Sequence, residues 1–269
     1  VKYHDLDIKL IDLPGTYSLT SYTMEEQVSR EYILSNEVDV IVNVVDASSL
    51  ERNLYLTLQL LELGKPVVVA LNMMDIVQKR GMEIDLHRLP EMLGVPVIPV
   101  SARKRTGLDI LIHAAAHHKG NKLPDSLLHN HSSKTNHKHN HHKNTVMVYS
   151  DQIEDKIDEI TDELNFKYPT IKNLRWISIK LLENDKELMN RYSDLSYHLL
   201  KESYESQIIN EKYDFIEEVL SETIINKSKK EVATDRVDKV LTNKWLGIPI
   251  FLVIMGLVSY THLTLPTIL

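Results

Sequence analysis

The sequence predicts an α/β protein whose first part is a doubly wound, mostly parallel sheet and whose second part is an all-α helical bundle. Two runs, residues 66–71 and 95–100, have the continuous apolar character of parallel strands that are buried on both faces. A third run at residues 38–45 precedes them and is joined to residues 66–71 through a leucine-rich helical stretch, which makes a strand-helix-strand unit. From residue 150 onward the apolar period is helical.

Length and composition restrict the class of protein. The chain has 269 residues, which corresponds to about two domains, and 43% of its residues are hydrophobic. Its net charge is −7 with Lys and Arg scattered among acids, so no basic face for nucleic acid is expected. The absence of cysteine excludes a disulfide scaffold and thiolate metal sites. A globular protein with substantial cores and no nucleic-acid partner is therefore expected.

The first predicted strand covers residues 6–11 and ends in Asp12-Leu13-Pro14-Gly15, where Pro and Gly require a turn. In a nucleotide site, an acid at this position holds a water of Mg²⁺, and Gly lets its backbone N–H approach a terminal phosphate. An ordinary exit from a strand is the alternative, because D-x-x-G patterns are common by chance.

Helices are predicted between and after these strands. Residues 23–36 predict a helix with Met24, Val28 and Tyr32 on one face and a capping box at Thr23 and Glu26. Residues 85–93 and 108–116 predict two more. The leucine-rich helix begins after Asp46-Ala47-Ser48 and has one apolar stripe, formed by Leu50, Leu54, Leu58 and Leu61.

Two polar loops at neighbouring strand ends predict a guanine pocket. The loop Asn72-Met73-Met74-Asp75 follows one buried run and Ser101-Ala102-Arg103 follows the next, and ligands of open α/β sheets bind at the carboxyl ends of the strands. The Asp75 carboxylate can accept two parallel hydrogen bonds from the ring N–H and amine of guanine, a pair that adenine does not offer. We expect Asn72 to join the two loops and the Ala102 N–H to meet the guanine carbonyl oxygen.

The order of the three loops resembles the third, fourth and fifth signature loops of a translation-factor-type (TRAFAC) GTPase domain. More narrowly, residues 12–33, 44–75 and 79–81 resemble the ferrous iron transport protein B family, as do residues 175–183 and 235–251. The resemblance implies GTP or GDP and Mg²⁺ as cofactors, with Asp12 holding Mg²⁺ through water. It also implies Fe²⁺ as a transported ion whose site lies outside this chain, and a place at the bacterial inner membrane with residues 1 to about 240 on its cytoplasmic side.

The sequence departs from the common GTPase pattern in three places. Met73 stands where most GTPases have Lys, and its side chain can supply apolar cover for the base. Thr16 stands where many small GTPases carry a water-orienting Gln, so no catalytic residue is assigned and slow hydrolysis is expected. No G-x-x-x-x-G-K-[ST] phosphate loop occurs in the 269 residues. We therefore expect a domain that lacks its amino-terminal piece and is inactive as a GTPase alone.

Histidines concentrate between residues 117 and 143, among Asn, Ser and Lys. Such a tract either coordinates divalent metals through imidazoles or forms a solvated spacer. Its irregular spacing and lack of carboxylates favour the spacer. His113 and His117 lie one helical turn apart, which an exposed helix end also explains. The tract contains His129, His131, His137, His139, His141 and His142.

The second part predicts a bundle of four or five amphipathic helices. In the resembled family this part tightens GDP retention, which implies a relay of the nucleotide state toward the membrane. Trp176 and Tyr168 are expected in the core or in an interface. The four apolar stripes are formed by Ile153, Ile157, Ile160 and Leu164, by Leu174, Ile177 and Leu181, by Leu188, Tyr192, Leu195 and Leu199, and by Ile209, Tyr213, Ile216 and Leu220.

The last segment contains an uncharged apolar run at residues 245–258, preceded by Arg236, Lys239 and Lys244. The basic flank and the Gly-Ile-Pro-Ile-Phe motif predict the start of a transmembrane helix on the cytoplasmic side, and the run alone is shorter than the roughly 20 residues of a full span. A core helix is the alternative. Residues 261–269 depart from the family pattern, which suggests truncation or a foreign tail.

Four regions follow from these patterns: a GTPase domain at residues 1–118, a His-rich linker at 119–149, a helical regulatory (GDI-like) domain at 150–234 and a juxtamembrane segment at 235–269. We predict that the chain is the guanine-nucleotide-binding part of a GTP-dependent Fe²⁺ uptake transporter. The sequence does not fix its oligomeric state, and a homo-oligomer is one option. One alternative is a soluble ribosome-assembly or tRNA-modifying GTPase, which predicts a basic second domain. The other is a membrane-associated scaffold with vestigial nucleotide loops.

Overall fold

The computed structural model describes residues 2–3, 6–16, 18–19, 24–35, 37–118, 147–196, 202–226, 243 and 247–264. The predictions for the histidine tract beyond residue 118, for Thr23 in the capping box, for Leu199 and for the basic residues 236–244 lie outside these residues. We refer below to residues 2–118 as the first part and to residues 147–226 as the second part.

The strands are β1 (Lys2–Tyr3), β2 (Leu6–Asp7), β3 (Ile41–Asp46), β4 (Val67–Asn72), β5 (Glu83–Ile84), β6 (Val97–Pro99) and β7 (Ile224–Asn226). The helices are α1 (Met24–Leu34), α2 (Leu50–Glu62), α3 (Met74–Lys79), α4 (Arg88–Leu93), α5 (Leu108–His117), α6 (Asp151–Lys167), α7 (Leu174–Leu182), α8 (Lys186–Arg191), α9 (Glu205–Thr223) and α10 (Gly247–Thr264). A single 3₁₀ turn, Ala47–Ser49, leads into α2.

A parallel sheet with the order β3-β4-β6 forms the centre of the first part, which confirms the predicted parallel arrangement. Ile41 lies opposite Val67, and Val69 lies opposite Val97. Every residue of β4 except Asn72 is buried, because this strand is paired on both edges and packed on both faces. The carboxyl ends of β4 and β6 therefore meet at one rim of the sheet.

The strand predicted at residues 6–11 is wrong in extent. Only Leu6–Asp7 is a strand, and it pairs antiparallel with β1 instead of joining the parallel sheet. Residues 8–16 are irregular, and the side chains of Leu10 and Ile11 are 66% and 42% exposed. Apolar burial is what fixes a strand against a sheet, so these exposed side chains do not hold the segment in an extended ladder.

The helix predicted after the D-x-x-G loop is present as α1, but the predicted apolar face is wrong. Met24 and Val28 are exposed, whereas Ser29, Arg30 and Ile33 are buried. The helix is rotated so that a charged residue points inward. This is stable because the Arg30 guanidinium contacts an acid from the second part, Asp185.

The second part is built from α6 to α9. The predicted stripe of α6 is confirmed, since Ile153, Ile157, Ile160 and Leu164 are all buried. The predicted stripe of α9 is shifted by one residue: Ile209 and Leu220 are only half-buried and Tyr213 is exposed. Ile216 of the predicted stripe is buried as expected, and the other residues that α9 buries are Ile208, Lys212, Phe215, Val219 and Thr223. Because Lys212 occupies a core position, the apolar pattern alone pointed to the wrong face.

The two parts are joined at both ends of the second one. At its start, the Tyr149 hydroxyl donates a hydrogen bond to Glu62 of α2. At its end, β7 pairs antiparallel with β5, and the Asp85 N–H donates to the Thr223 carbonyl at 2.8 Å. Between these points the Lys212 ammonium, which is fully buried, contacts Glu62 and Glu183 at 3.3 and 2.7 Å.

The helix α10 contains the apolar run predicted near the carboxyl end, and its side chains from Ile248 to Tyr260 are largely exposed. In the part of the chain that the structure describes, no helix combines the length and the apolar character that crossing a bilayer requires. The transmembrane start therefore stays a prediction.

Candidate functional site

The loops after β4 and β6 contact each other through side chains. The Ser101 hydroxyl donates to Asp75 Oδ1 at 2.9 Å, and the Ala102 N–H donates to Asn72 Oδ1 at 3.1 Å. The backbone adds a third link, in which the Met74 N–H donates to the Val100 carbonyl at 3.4 Å. The structure thus brings together the Asn72–Asp75 and Ser101–Ala102 segments at the rim of the sheet.

Asp75 is the most constrained acid of this rim. It lies in the first turn of α3 and is 5% exposed as a whole residue. The hydrogen bond from Ser101 lowers the pKa of the Asp75 carboxyl below its ordinary value, against the opposing effect of desolvation. Lys104 and Lys79 lower this pKa further through their charge. The carboxylate is therefore held ionised and ready to accept hydrogen bonds.

From the sequence we expect the Ala102 N–H to donate to the carbonyl of the base. In this structure it donates to Asn72 instead. The expectation fails because the hydrogen bond that joins the two loops already occupies the Ala102 N–H. Met73 has a left-handed backbone (φ 65°) and a side chain that is 43% exposed. Arg103 is exposed on the turn after Ala102.

The turn from Ser101 to Thr106 is shaped by a glycine that lies outside the predicted loop motifs. Ser101 and Thr106 exchange backbone hydrogen bonds at 3.1 and 3.2 Å, and Gly107 follows with φ +78°. A Cβ at Gly107 would lie 2.3 Å from the Pro99 carbonyl oxygen. Only glycine fits there, so the position of the Ser101–Ala102 segment depends on it. A Gly directly before a predicted helix was the available signal.

The D-x-x-G loop is tied to helix α1. Asp12, Pro14 and Gly15 are exposed, and Leu13 packs against the core as a partly buried side chain. The Pro14 carbonyl accepts a hydrogen bond from the Ser29 hydroxyl of α1 at 3.1 Å. A Cβ built at Gly15 meets nothing within 4 Å, which leaves open space at the residue that the sequence assigns to a phosphate contact.

Metal ligands are sparse in the described residues. Within them, no three His, Cys, Asp or Glu side chains converge on a common point. The ring centroids of His113 and His117 on α5 are 4.2 Å apart, and the Tyr3 hydroxyl forms a hydrogen bond with His113 Nδ1 at 3.1 Å. A single Asp12 carboxylate fits the way Mg²⁺ is usually held, through waters and substrate phosphates with only one or two carboxylates.

Two family models match the chain. The model described as ferrous iron transport protein B matches residues 1–115, and the FeoB cytosolic helical domain matches residues 149–225. Among curated proteins, the Fe(2+) transporter FeoB of Escherichia coli (strain K12) is 35% identical over 269 residues, covering 94% of this chain and 32% of the relative. The Fe(2+) transport protein A/Fe(2+) transporter FeoB fusion protein of Porphyromonas gingivalis is 37% identical, with 94% and 31% covered. The chain thus spans about a third of these relatives.

Solved structures agree with the family models. A point mutant of NFeoB from S. thermophilus bound to GDP superposes with a TM-score of 0.65 at 37% identity, covering 79% of this chain and 80% of that one. The mGMPPNP-bound NFeoB from the same organism gives 0.62 at 35% identity, with 82% and 79% covered. The cytosolic domain of L. pneumophila FeoB gives 0.65 at 32% identity, with 80% and 79% covered. The chain therefore belongs to the ferrous iron transport protein B family and contains its G-domain and cytosolic helical-domain regions.

Proposed function

We propose that this chain recognises guanine nucleotides at the rim formed by the loops after β4 and β6. The observation that carries the proposal is the pair of hydrogen bonds that joins these loops, Ser101 to Asp75 and Ala102 to Asn72. They hold an ionised carboxylate at the carboxyl end of a parallel sheet, where ligands of such sheets bind. Solved relatives with bound GDP and mGMPPNP support the same ligand class.

Each loop residue has a role in this proposal. The Asp75 carboxylate accepts from the ring N–H and amine of guanine, while Ser101 keeps it oriented. Asn72 and Ala102 fix the base loop through their mutual hydrogen bond, and the exposed Met73 covers the base. The backbone of Met74 and of Arg103 completes the two loops around it.

The D-x-x-G loop takes the phosphate end of the nucleotide. Asp12 holds a water of Mg²⁺, Leu13 and Pro14 set the turn, and the Gly15 N–H approaches a terminal phosphate. Mg²⁺, when bound there, would neutralise part of the charge of the phosphates. Gly15 is exposed and no atom of another residue blocks its backbone, so a phosphate can reach it.

For the whole protein, we propose that nucleotide binding by this part controls Fe²⁺ uptake across the bacterial inner membrane. The curated relatives carry the name Fe(2+) transporter, and α10 presents an exposed apolar surface of the kind that enters a bilayer. Residues 1 to about 240 then lie on the cytoplasmic side, and Fe²⁺ is the transported substrate. A role near RNA is not proposed, because the net charge is −7 and the second part is a helical domain of this family.

Titration of the full-length protein with fluorescent GDP and ADP tests the base assignment. We expect binding of GDP in the micromolar range with little binding of ADP. Asp75→Asn should weaken GDP binding by about tenfold or more, because a charged acceptor is lost. It should also improve binding of xanthosine diphosphate, because an amide can donate to the extra carbonyl of xanthine. Asp109→Asn, an exposed acid on α5, is the matched control and should change neither.

Equal affinity for GDP and ADP in the unmodified protein would contradict the proposal. So would an Asp75→Asn variant that keeps both its GDP affinity and its rejection of xanthosine diphosphate.

A further inference from the structure

Gln59 is a fully buried polar residue in the last turn of α2, and it lies outside the three loop motifs of the nucleotide signature. Its Oε1 accepts two hydrogen bonds from the segment after the D-x-x-G loop, one from the Leu19 N–H at 2.7 Å and one from the Ser18 hydroxyl at 3.2 Å. Leu19 itself is only 2% exposed. One side-chain oxygen therefore fixes the point where this segment enters the core.

The orientation of the Gln59 amide follows from its partners. The Leu19 backbone N–H can only donate, so the oxygen of the amide must face it. The amide nitrogen, Nε2, is then buried and makes no hydrogen bond with any residue that the structure describes. A buried donor without a partner is destabilising. An apolar side chain would fill this position without burying an unpaired donor. We therefore attribute the role of this glutamine to its two hydrogen bonds with Ser18 and Leu19.

The residues that Gln59 contacts lie close to the D-x-x-G loop in the sequence. Gly15 is four positions from Leu19, and the Ser18 N–H donates to the Thr16 hydroxyl at 3.2 Å. At the other side of Gly15, Pro14 is bonded to Ser29. The phosphate-facing glycine is therefore held between one anchor on α1 and one on α2.

We propose that Gln59 is a positioning residue that preorganises the D-x-x-G loop for a nucleoside triphosphate. It acts through Ser18 and Leu19 and does not contact the nucleotide. The nucleotide part of this proposal rests on the proposed function. A triphosphate must engage Gly15 and benefits from a loop already in place, whereas a diphosphate has no terminal phosphate there and gains nothing.

Hydrogen exchange on the 269-residue chain tests the anchor without any nucleotide. In Gln59→Met, which keeps the volume but removes the acceptor, we expect the Leu19 amide to exchange about tenfold faster or more. Gln59→Glu keeps an acceptor oxygen and should retain most of the protection. Thr57→Val is the matched control: Thr57 is fully buried on the same helix, and its hydroxyl accepts from Asn43 Nδ2 at 2.8 Å. It should leave the Leu19 amide unchanged.

Nucleotide affinity in the full-length protein gives the second readout. Gln59→Met should raise the ratio of the GTP dissociation constant to that of GDP by about fivefold, with the GDP value nearly unchanged. If the Leu19 amide exchanges at an unchanged rate in Gln59→Met, Gln59 does not anchor this residue. The same conclusion follows if Thr57→Val raises that rate as much as Gln59→Met does. An unchanged GTP to GDP ratio, with Leu19 released, would overturn the preorganisation. Absence of guanine nucleotide binding in the unmodified protein would instead remove the proposed function, while the exchange result would stand.

Discussion

The ion pair between Arg30 and Asp185 gives the sharpest stability prediction. Arg30 Nη1 lies 2.7 Å from Asp185 Oδ2, and the two side chains are 2% and 5% exposed. The guanidinium also lies over the ring of Trp176, with Cζ 5.4 Å from its centroid. Asp185 has a second task as the N-cap of α8, where its Oδ1 accepts from the Leu188 N–H at 3.1 Å. The pair thus connects α1 of the first part to α8 of the second.

Removing one member of a buried ion pair leaves the other charge uncompensated, which costs about 3–5 kcal/mol. We expect Arg30→Met to lower the free energy of unfolding by an amount in this range, because it leaves the buried Asp185 without its partner. Asp185→Asn should cost less. The amide oxygen can still cap α8, and Glu187 lies 3.8 Å from Arg30 Nη1 to compensate the arginine in part. The double variant Arg30→Met/Asp185→Asn should recover about 2 kcal/mol relative to the sum of the single changes.

Urea unfolding of the full chain, followed by circular dichroism at one pH and salt concentration, measures the free energy of unfolding of the unmodified protein, the two single variants and the double variant. The cycle is interpretable if the four proteins share one slope with urea. Additive effects, within about 0.5 kcal/mol, would refute the reasoning. A cost of Asp185→Asn equal to or above that of Arg30→Met would refute the stated order.

Two further predictions concern the loop glycine and a buried acid. Gly107→Ala should destabilise the chain by about 1–3 kcal/mol, since the left-handed backbone and the contact of 2.3 Å with the Pro99 oxygen both oppose a Cβ. Gly64→Ala, at φ +68° with open space around it, should cost less in the same urea measurement, and an equal cost would argue against the contact. Burial acts to raise the pKa of Glu183, but Lys180 and Lys212 outweigh it and the pKa lies below the ordinary 4.5. A lowered pKa means that Glu183 stabilises the fold above pH 4.5 and that this contribution is lost as the pH falls below it. Glu183→Gln should therefore be less stable than the unmodified chain at pH about 7 and lose less stability on going to pH about 4, and parallel curves would contradict the assignment.

The parts of the fold that follow from local pattern could be predicted from the sequence. The run that became β4 is apolar without interruption because both of its faces are covered, and the stripe of α6 is regular because one bundle core receives it. The neighbouring loops after β4 and β6 followed from the rule that parallel strands end at one rim. These inferences need only periodicity and strand direction.

The rest depends on contacts between residues far apart in the chain. Arg30 is 155 positions from Asp185, so nothing near it in sequence indicates that this arginine is buried. Lys212 likewise occupies a core position because Glu62 and Glu183 surround it. The short β5–β7 pairing carries too few residues to leave a pattern. Gln59 was missed for the same reason, since its partners come from 40 and 41 positions away.

The attachment of the second part at both of its ends limits how it can move. Glu62 receives Tyr149 at one end, and the β5–β7 ladder holds the other. Two further contacts lie away from these ends: Lys212 with Glu62 of α2, and Asp185 with Arg30 of α1. A rotation of α6 to α9 about the line between the two ends therefore has to break these ion pairs or carry α1 and α2 with it.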